Sequence, residues 1–531
     1  MAGCATKEIE PPVEVPGAFS QSGTAVVPDR WWTAFNDPGL DEHMERALAF
    51  NLTLEAAWER LQEAQAVVNR ESAAMYPNFD AVFDGDYSQV HSNRVEGYSF
   101  GLVAEYEVDL WGRIRSLVEA EEFRSEATFY DYQTAALTLS AEVARTYFQL
   151  VESQNQRDLL HEQIRINENV LSSLKTRFGA GLIRSADILR QEQLIEATRE
   201  QIIVEEATIG VLENKLAVLQ GRPPEMGEPV QDEVLPELPP MPNTGLPAAL
   251  VQRRPDVQSA YSLVRAANAD LAAAITNQYP RLTLSASLET AATNPSDLFG
   301  TWVRSIAGQV VAPIFDAGRR ASEVERNEAV ERRRVLDYGQ SVLVAFQEVE
   351  DSLVLEQKQI ERITSIRRQL QLSRSSYNRL QIEYFNGITE YLDVLTALIE
   401  EQRLQRDLLL AHRNLLEFRI GLYRALAGGF LTDTGKLRNS FNKTKTRNTR
   451  HGWKHAGRKT KEESVWLGTD ACGVHRDPGR CGGDREGDRL NGAYAEADGR
   501  QSQVGDAGGS QRSRTRNLSA SDRGYGHRAG P

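Results

Sequence analysis

One cysteine stands in a sequence context that could undergo covalent modification. Ala2-Gly3-Cys4 has the small-small-Cys order of a bacterial lipid-attachment site, at which the cysteine becomes the acylated N-terminus. No charged region followed by an apolar region precedes it, as a complete signal peptide requires. We therefore predict lipid attachment at Cys4 from a translation start further upstream. Cys472 and Cys481 lack the spacing of a zinc site and are interpreted as incidental.

Carboxylates that alternate with apolar residues form the second group that could do chemistry. Repeated in several chains around a pore, such carboxylates would favour cations. The alternative is that they only solvate the polar face of a sheet, and the sequence leaves both interpretations open. The six acidic residues are Asp80, Asp84, Asp86, Glu105, Glu107 and Asp109.

Motifs of nucleotide-binding and metal-binding sites do not occur in the chain. GxxxxGK[ST], HExxH and CxxC are all missing, and no three of the eight His residues lie at ligand spacing. We therefore predict a protein that is not an enzyme and needs no cofactor or metal.

Four segments that alternate between apolar and polar residues are predicted to be strands. They run from Phe79 to Tyr87, Phe100 to Leu110, Leu282 to Glu289 and Trp302 to Ile314, the last with the weakest alternation. Such strands fit either a half-buried soluble hairpin or a transmembrane wall. Four strands cannot close a wall, and open edges are not tolerated in lipid. Strands that meet lipid would therefore have to be pooled from several chains.

Two segments of more than 60 residues are predicted to be very long helices. Arg115 to Phe178 contains no Pro or Gly, and Arg319 to Phe385 contains only Gly339. Each would be about 90–100 Å long at about 1.5 Å per residue. Short turns at Gly181 and Gly387 lead into returning helices of about 35–40 residues, so the sequence predicts two helical hairpins. For either hairpin alone, an antiparallel coiled coil is the alternative.

The two hairpins belong to an internal repeat with a constant offset of 206 residues. Four pairs illustrate the offset: Gly112 and Gly318, Glu142 and Glu348, Gly181 and Gly387, and Asp187 and Asp393. The period far exceeds that of a solenoid repeat. The sequence therefore predicts a duplicated half-fold, mainly α-helical, with four strands and two long helical hairpins in each chain.

Composition divides the 531 residues into five segments. An N-terminal extended segment (1–30) precedes the first repeat (31–223), a Pro-rich linker (224–245) and the second repeat (246–430). Residues 431–531 contain 17 Gly but only nine Val, Ile, Leu or Phe, which predicts a disordered tail, either a basic interaction segment or a frameshifted end. This tail has 20 Lys/Arg against 12 Asp/Glu although the net charge is −14. The acidic remainder argues against nucleic acid as a partner.

An ordered set of motifs resembles the TolC/OprM-like outer-membrane efflux proteins of Gram-negative bacteria, in particular their lipoprotein branch, the NodT family. The resemblance covers about residues 30–430. The motifs are Trp31-Trp32 with Phe35 and Asp37-Pro38, Arg253-Arg254-Pro255-Asp256-Val257, Tyr279-Pro280, Phe315-Asp316-Ala317-Gly318-Arg319 and Ala425-Leu426-Ala427-Gly428-Gly429.

The resemblance implies a homotrimer that combines a transmembrane β-barrel in the outer membrane with a periplasmic α-barrel. It implies a lipid anchor at Cys4 and a passive duct for small toxic molecules. An inner-membrane pump of the RND type and a periplasmic adaptor would deliver them.

The resemblance also implies roles for residues at the hairpin tips. The expected periplasmic gate residues are Tyr384, Leu392, Asp393 and Thr396. Thr396 stands where many relatives have an aspartate, which puts an acidic ring at that level in doubt. The expected adaptor-contacting residues are Gly181, Asp187, Gly387 and Asp393. Ordinary packing for the leucines and helix capping for the two aspartates remain the alternatives.

Two other functions fit part of the pattern. A type I protein secretion outlet would share the fold, and the sequence does not separate it from drug efflux. A lipid-anchored periplasmic coiled-coil spacer or adaptor would not transport anything. Two hairpins in tandem, each preceded by a pair of strands, argue against an adaptor.

Overall fold

A computed structural model describes residues 12–90, 93–224, 230 and 234–428. Cys4 and the tail from residue 431 lie outside the described residues. The helices and strands follow in chain order: α1 (Pro38–Phe50), α2 (Leu52–Ser72), β1 (Asn78–Val90), β2 (Asn93–Val108), α3 (Arg113–Gly179), α4 (Ser185–Leu219), α5 (Pro247–Arg253), α6 (Pro255–Thr276), β3 (Arg281–Ala292), β4 (Trp302–Val311), α7 (Arg319–Phe385) and α8 (Tyr391–Leu426).

The element order repeats, and the predicted fold class is confirmed. In each half, one helix (α2 or α6) leads into two strands, a long helix and a returning helix. Both long helices, α3 and α7, contain 67 residues, so each is about 100 Å long at about 1.5 Å per residue. They begin after Gly112 and Gly318, whose φ angles of 83° and 84° lie in the left-handed region. Because glycine tolerates that region, the chain can turn there from strand to helix.

The strands form one antiparallel sheet in the order β1-β2-β3-β4. The strand pair of each repeat is a hairpin, and β2 pairs with β3 to join the two repeats, with Ala104 opposite Ala286. Among the described residues, β1 and β4 each have one neighbour, so this sheet has two open edges. The fourth strand ends at Val311 rather than at Ile314, and Pro313, two residues after Val311, has no N–H for a ladder hydrogen bond.

The second predicted strand also ends earlier than expected, at Val108 instead of Leu110. The cause is Asp109, whose carboxylate accepts hydrogen bonds from the backbone N–H groups of Ile114 and Arg115 at 3.0 and 3.1 Å. Asp109 therefore holds the first turn of α3. Burial acts to raise the pKa of Asp109, but these hydrogen bonds and the Arg115 guanidinium outweigh burial and lower it.

The largest buried core holds the helical body of the first repeat together. Trp31 stacks on Tyr423 of α8 at 6.0 Å and donates from Nε1 to the Ser140 hydroxyl on α3 at 3.1 Å. Asp37 caps α1 by accepting the N–H of Leu40, and its carboxylate also accepts the Tyr147 hydroxyl at 2.9 Å. The Trp-Trp motif thus joins the N-terminal segment to both repeats.

A buried ion pair fixes the linker between the repeats. The Arg419 guanidinium on α8 forms two hydrogen bonds with the Glu356 carboxylate on α7, at 2.7 and 2.6 Å. Only 1% and 4% of the two side chains are exposed. The same guanidinium donates to the carbonyl oxygens of Pro239 and Pro240 in the linker. The start of the described chain lies on α7, where Pro12 packs against Gly339 and the Ser20 N–H donates to Glu350.

Candidate gate and pore wall

The two hairpin tips are built on the same turn. Gly181 and Gly387 have φ angles of 73° and 72°, and the residue after each donates its N–H back to the end of the long helix. A Cβ atom at either glycine would meet nothing within 4 Å. The requirement for glycine is therefore conformational, and both predicted tip glycines lie on the surface of the tip.

The aspartates that follow these turns differ although they are equivalent in the repeat. Asp187 is 4% exposed and pairs with Arg190 at 3.5 Å. Asp393 is exposed and accepts the Thr389 hydroxyl at 2.6 Å. Both lie in the first turn of their helices, where a negative charge is favourable. Because Asp187 is buried, an adaptor could reach its carboxylate only after the tip rearranges.

The predicted gate residues on α8 share an exposed strip. Leu392 is 45% exposed, and Thr396 is exposed one turn later with its hydroxyl donating to the Leu392 carbonyl oxygen at 2.8 Å. Leu395, by contrast, is 5% exposed and packs in the tip core. Interhelix packing therefore accounts for Leu395, and Leu392, Asp393 and Thr396 are available to a neighbouring molecule.

Tyr384 lies in the core between the two tips rather than on that strip. The Arg177 guanidinium of the first hairpin lies 5.0 Å from the centre of its ring, and the Tyr391 ring lies 5.7 Å away. Burial raises the pKa of Tyr384, so its hydroxyl is neutral at physiological pH. An exposed ion pair between Arg184 and Glu390 at 3.1 Å also joins the two tips.

A buried polar network behind the tips was not predicted from the sequence. The Tyr391 hydroxyl of α8 donates to the Gln191 side-chain oxygen of α4 at 2.5 Å. Gln191 in turn donates to the Asn167 carbonyl oxygen of α3 at 2.9 Å, and the Gln402 amide of α8 donates to the Asn167 side chain at 3.0 Å. All four residues are buried. The sequence signal for this network is the spacing of Gln163 and Asn167, two amides four residues apart on α3 that therefore share one side of the helix, which is buried.

The sheet separates polar from apolar side chains, as the alternation predicts. Residues directly opposite one another in an antiparallel pair lie on the same face. Asp80 is opposite Val103, Glu105 is opposite Ser285, and Ser287 is opposite Ser305. The register therefore places five of the six predicted carboxylates on one face, namely Asp80, Asp84, Asp86, Glu105 and Glu107.

Two of the six carboxylates are engaged where the sheet meets the helices. Glu107 forms an ion pair with Arg113 at 2.8 Å, and Asp109 lies beyond the strand at the start of α3. Asp109 was predicted to line the polar face of the sheet, but it lies between β2 and α3 instead. The carboxylates of Asp80, Asp84 and Asp86 remain exposed on the polar face.

The opposite face is apolar and exposed in the single chain. Phe79, Phe83, Leu102, Leu284 and Ile306 are between 42% and 90% exposed. Aromatic side chains border the apolar part of this face on two sides. Trp111 and Tyr279 lie 5.2 Å apart near the helices, and Phe100, Phe299 and Trp302 lie 6.0–6.3 Å apart at the far end of the β3–β4 hairpin. Aromatic borders around an apolar band are typical of strands at the two surfaces of a membrane.

Two kinds of feature are missing from the described residues. None of the helices among them is long and apolar enough to cross a membrane. The same residues contain no group of three or more His, Cys, Asp or Glu side chains that could hold a metal ion.

Comparison with known proteins is consistent with this architecture. The chain is 30% identical over 430 residues to the pyoverdine export outer membrane protein OpmQ of Pseudomonas aeruginosa, covering 76% of this chain and 88% of that protein. It is 28% identical over 450 residues to the cation efflux system protein CusC of Escherichia coli, covering 79% and 94%.

Solved structures and a protein family match the same part of the chain. The outer-membrane channel OprN superimposes with a TM-score of 0.75 at 26% identity over 80% of this chain and 98% of that one. A CusC structure gives 0.73 at 26% identity over 80% and 99%. The family described as outer membrane efflux protein matches residues 44–222 and 246–428. The chain therefore belongs to the outer membrane efflux protein family and is an efflux channel component of the cell outer membrane.

Proposed function

We propose that three copies of the chain form one continuous duct, which receives small toxic molecules from an inner-membrane pump and a periplasmic adaptor and releases them outside the cell. The observation that carries this proposal is the sheet, which has two open edges, one apolar face and one acidic face. Pooling β1 of one chain with β4 of the next would remove every open edge, as a lipid environment requires. Twelve strands would then enclose a pore lined by the acidic face.

The helical hairpins supply the reach of this duct. A helix of 67 residues extends about 100 Å from the membrane end of the sheet, enough to meet an adaptor or a pump across the periplasm. The tips at Gly181 and Gly387 are the natural contact surface for the adaptor. The proposed transport is passive, since it requires binding and opening but no bond-breaking step.

Gating is assigned to the exposed strip of α8 and the core behind it. Leu392, Asp393 and Thr396 would meet their counterparts from the neighbouring chains, and Tyr384 would hold the second tip against the first. Because the exposed tip ion pair of Arg184 and Glu390 contributes only about 0–1 kcal/mol, the buried contacts would set the balance between closed and open tips.

The polar face of the sheet favours cationic substrates. Asp80, Asp84 and Asp86 are exposed on β1, and three chains would repeat them around the pore. Rings of carboxylates attract cations and repel anions in a confined pore. Relatives include a protein named for cation efflux, which agrees with an acidic duct.

Planar-bilayer recording of the full chain tests the function. We expect a trimer by mass measurement in mild detergent, stepwise conductance, and a higher permeability for K⁺ than for Cl⁻. Replacing Asp80, Asp84 and Asp86 together by Asn should reduce that preference. Arg362→Gln changes a charge on an exposed surface of α7, away from the sheet, and should leave the preference unchanged.

Two outcomes would contradict this proposal. A stable monomer without conductance would refute the duct, because a periplasmic spacer would behave in that way. Unchanged selectivity in the triple variant would refute the assignment of the acidic face to the pore.

Cys4 is proposed as the lipid attachment site of the protein. Its support is the Ala2-Gly3-Cys4 sequence together with the family membership. Palmitate should label the native product and fail to label the Cys4→Ser variant. Equal labelling of both proteins, or of neither, would exclude acylation at this residue.

A further inference from the structure

A single arginine interrupts the apolar band between Trp302 and Val310 on one face of the sheet. Arg304 on β4 is opposite Leu288 on β3, and its neighbours along the same face of β4 are Trp302 and Ile306. Arg304 is exposed and forms no hydrogen bond or ion pair with any described residue. Among the described residues on this face between the levels of Trp302 and Val310, it is the only one that carries a charge.

Assembly of three chains would not supply a protein partner for this guanidinium. In the proposed duct, β4 lies beside β1 of the next chain. The β1 residues on the apolar face between the same levels are Phe79, Ala81 and Phe83, because the aspartates of β1 all lie on the other face. A charge in lipid without a partner is unfavourable, and such a residue marks a functional contact by default.

The level of Arg304 in the membrane indicates what its partner would be. Trp302 is nine residues from Val311, about 30 Å along the strand and about 23 Å along the membrane normal for a strand tilted by about 40°. This matches the apolar band of about 25 Å in outer-membrane proteins, so Trp302 lies at the far surface of the hydrocarbon layer. Arg304 lies about 5 Å below it, within reach of the headgroups for a side chain that extends towards water.

The aromatic border supports this level independently. Trp302, Phe299 and Phe100 contact one another at the end of the β3–β4 hairpin that points away from the helices, and β1 and β2 continue beyond this level to Val90 and Asn93. Since the helices extend into the periplasm in the proposed duct, this end faces the outer leaflet. The outer leaflet of such membranes consists of phosphorylated glycolipid, and an arginine is well suited to bind phosphate through several N–H groups at once.

We propose that Arg304 binds a phosphate group of a glycolipid in the outer leaflet, with Trp302, Leu288 and Ile306 packing against its acyl chains. The site rests on the proposed function because it requires the apolar face to meet lipid. It occurs once per chain and would therefore occur three times around the duct. Its role is to hold the channel in the outer leaflet at a fixed depth.

Native mass spectrometry of the full chain in mild detergent tests the site. The probes are bisphosphorylated lipid A, dephosphorylated lipid A and phosphatidylglycerol. We expect lipid A to remain bound, with about tenfold weaker binding for Arg304→Gln or after removal of the phosphates. Arg304→Lys should retain part of the affinity as a point charge. Arg362→Gln makes the same change on an exposed helical surface of α7 and should bind lipid A like the parent protein.

Each alternative result overturns a defined part of the inference. Unchanged lipid A binding in Arg304→Gln removes the site, and an equal loss in Arg362→Gln shows that the effect is not local. Equal binding of phosphatidylglycerol and lipid A to the parent protein removes the assignment to a glycolipid. Conductance of the same preparations keeps the two proposals apart. A conducting Arg304→Gln channel with normal lipid A binding refutes the site alone, whereas a parent protein without conductance refutes the duct.

Discussion

Replacing Tyr391 by phenylalanine should loosen the contact between the two hairpin tips. The substitution removes one hydroxyl and leaves the ring packed against Leu174, Val394 and Leu395. The lost hydrogen bond is the 2.5 Å contact to the Gln191 side-chain oxygen, which joins α8 of the second hairpin to α4 of the first. Tyr391 is 3% exposed and Gln191 is fully buried, so water cannot replace the hydroxyl without rearrangement.

The magnitude follows from this burial. A buried acceptor that is left without its donor costs about 1–3 kcal/mol. That free energy would shift the equilibrium between joined and separated tips by a factor of about 5–150. The tips close the duct in the proposed mechanism. If the parent channel is open only a small fraction of the time, that fraction should rise by a similar factor in the variant.

Single-channel recording in planar bilayers measures this change. Tyr377→Phe is the matched control, because Tyr377 belongs to the same tip core but its hydroxyl accepts a long hydrogen bond only within α7, from Gln381 at 3.5 Å. The parent protein and Tyr377→Phe should share a low open fraction that Tyr391→Phe exceeds. If the two variants conduct alike, the hydrogen bond between the hairpins does not control the tips and the reasoning fails.

Three further predictions concern stability, each measured by thermal unfolding of the detergent-solubilised protein. Glu356→Gln should destabilise the fold by about 3–5 kcal/mol, because it leaves the buried Arg419 charge unpaired. Glu361→Gln, which breaks an exposed ion pair with Lys358, should cost less than about 1 kcal/mol. Similar losses of stability in both variants would contradict the importance of burial. Gly387→Ala should lower the free energy of unfolding by about 1–2 kcal/mol, because alanine is strained at the left-handed φ of this residue. Gly179→Ala, at a residue whose φ is not positive, should lower it less. Equal losses in the two variants would contradict a conformational requirement for glycine at residue 387. Burial raises the pKa of Glu152, so the native state favours its protonated form and loses stability as pH rises through that pKa. Glu152→Gln should therefore stabilise the protein at pH 7 and lose this advantage near pH 4, and an advantage independent of pH would refute the assignment.

Local sequence was sufficient to predict most of the elements. Helix lengths depend on the absence of Pro and Gly over long segments, and the turns depend on Gly181 and Gly387, which are properties of neighbouring residues. The strand faces could be predicted because side chains alternate with a period of two. The end of β2 could not, because Asp109 continues the alternation while its carboxylate serves the helix that follows.

The details of the candidate gate depend on contacts between residues far apart in the chain. Asp187 and Asp393 occupy equivalent positions after equivalent turns, and the repeat predicts the same environment for both. The structure buries Asp187 and exposes Asp393. Asp187 is close enough to Tyr384 and Tyr391 of the other hairpin to affect their pKa values, so its burial is a property of the packing between hairpins.

The hydrogen bond from Tyr391 to Gln191 is made once per chain although the hairpins are copies of each other. The residues equivalent to Tyr384 and Tyr391 in the first hairpin are Phe178 and Ser185, and the residue equivalent to Gln191 in the second is Ala397. The hydroxyl of Tyr391 therefore has no counterpart on the first hairpin. The same asymmetry leaves Leu392, Asp393 and Thr396 exposed on the second tip while Asp187 is buried in the first. The duplication produced two similar hairpins. Substitutions at the second tip provide both the hydrogen bond from Tyr391 to the first hairpin and the exposed surface of Leu392, Asp393 and Thr396.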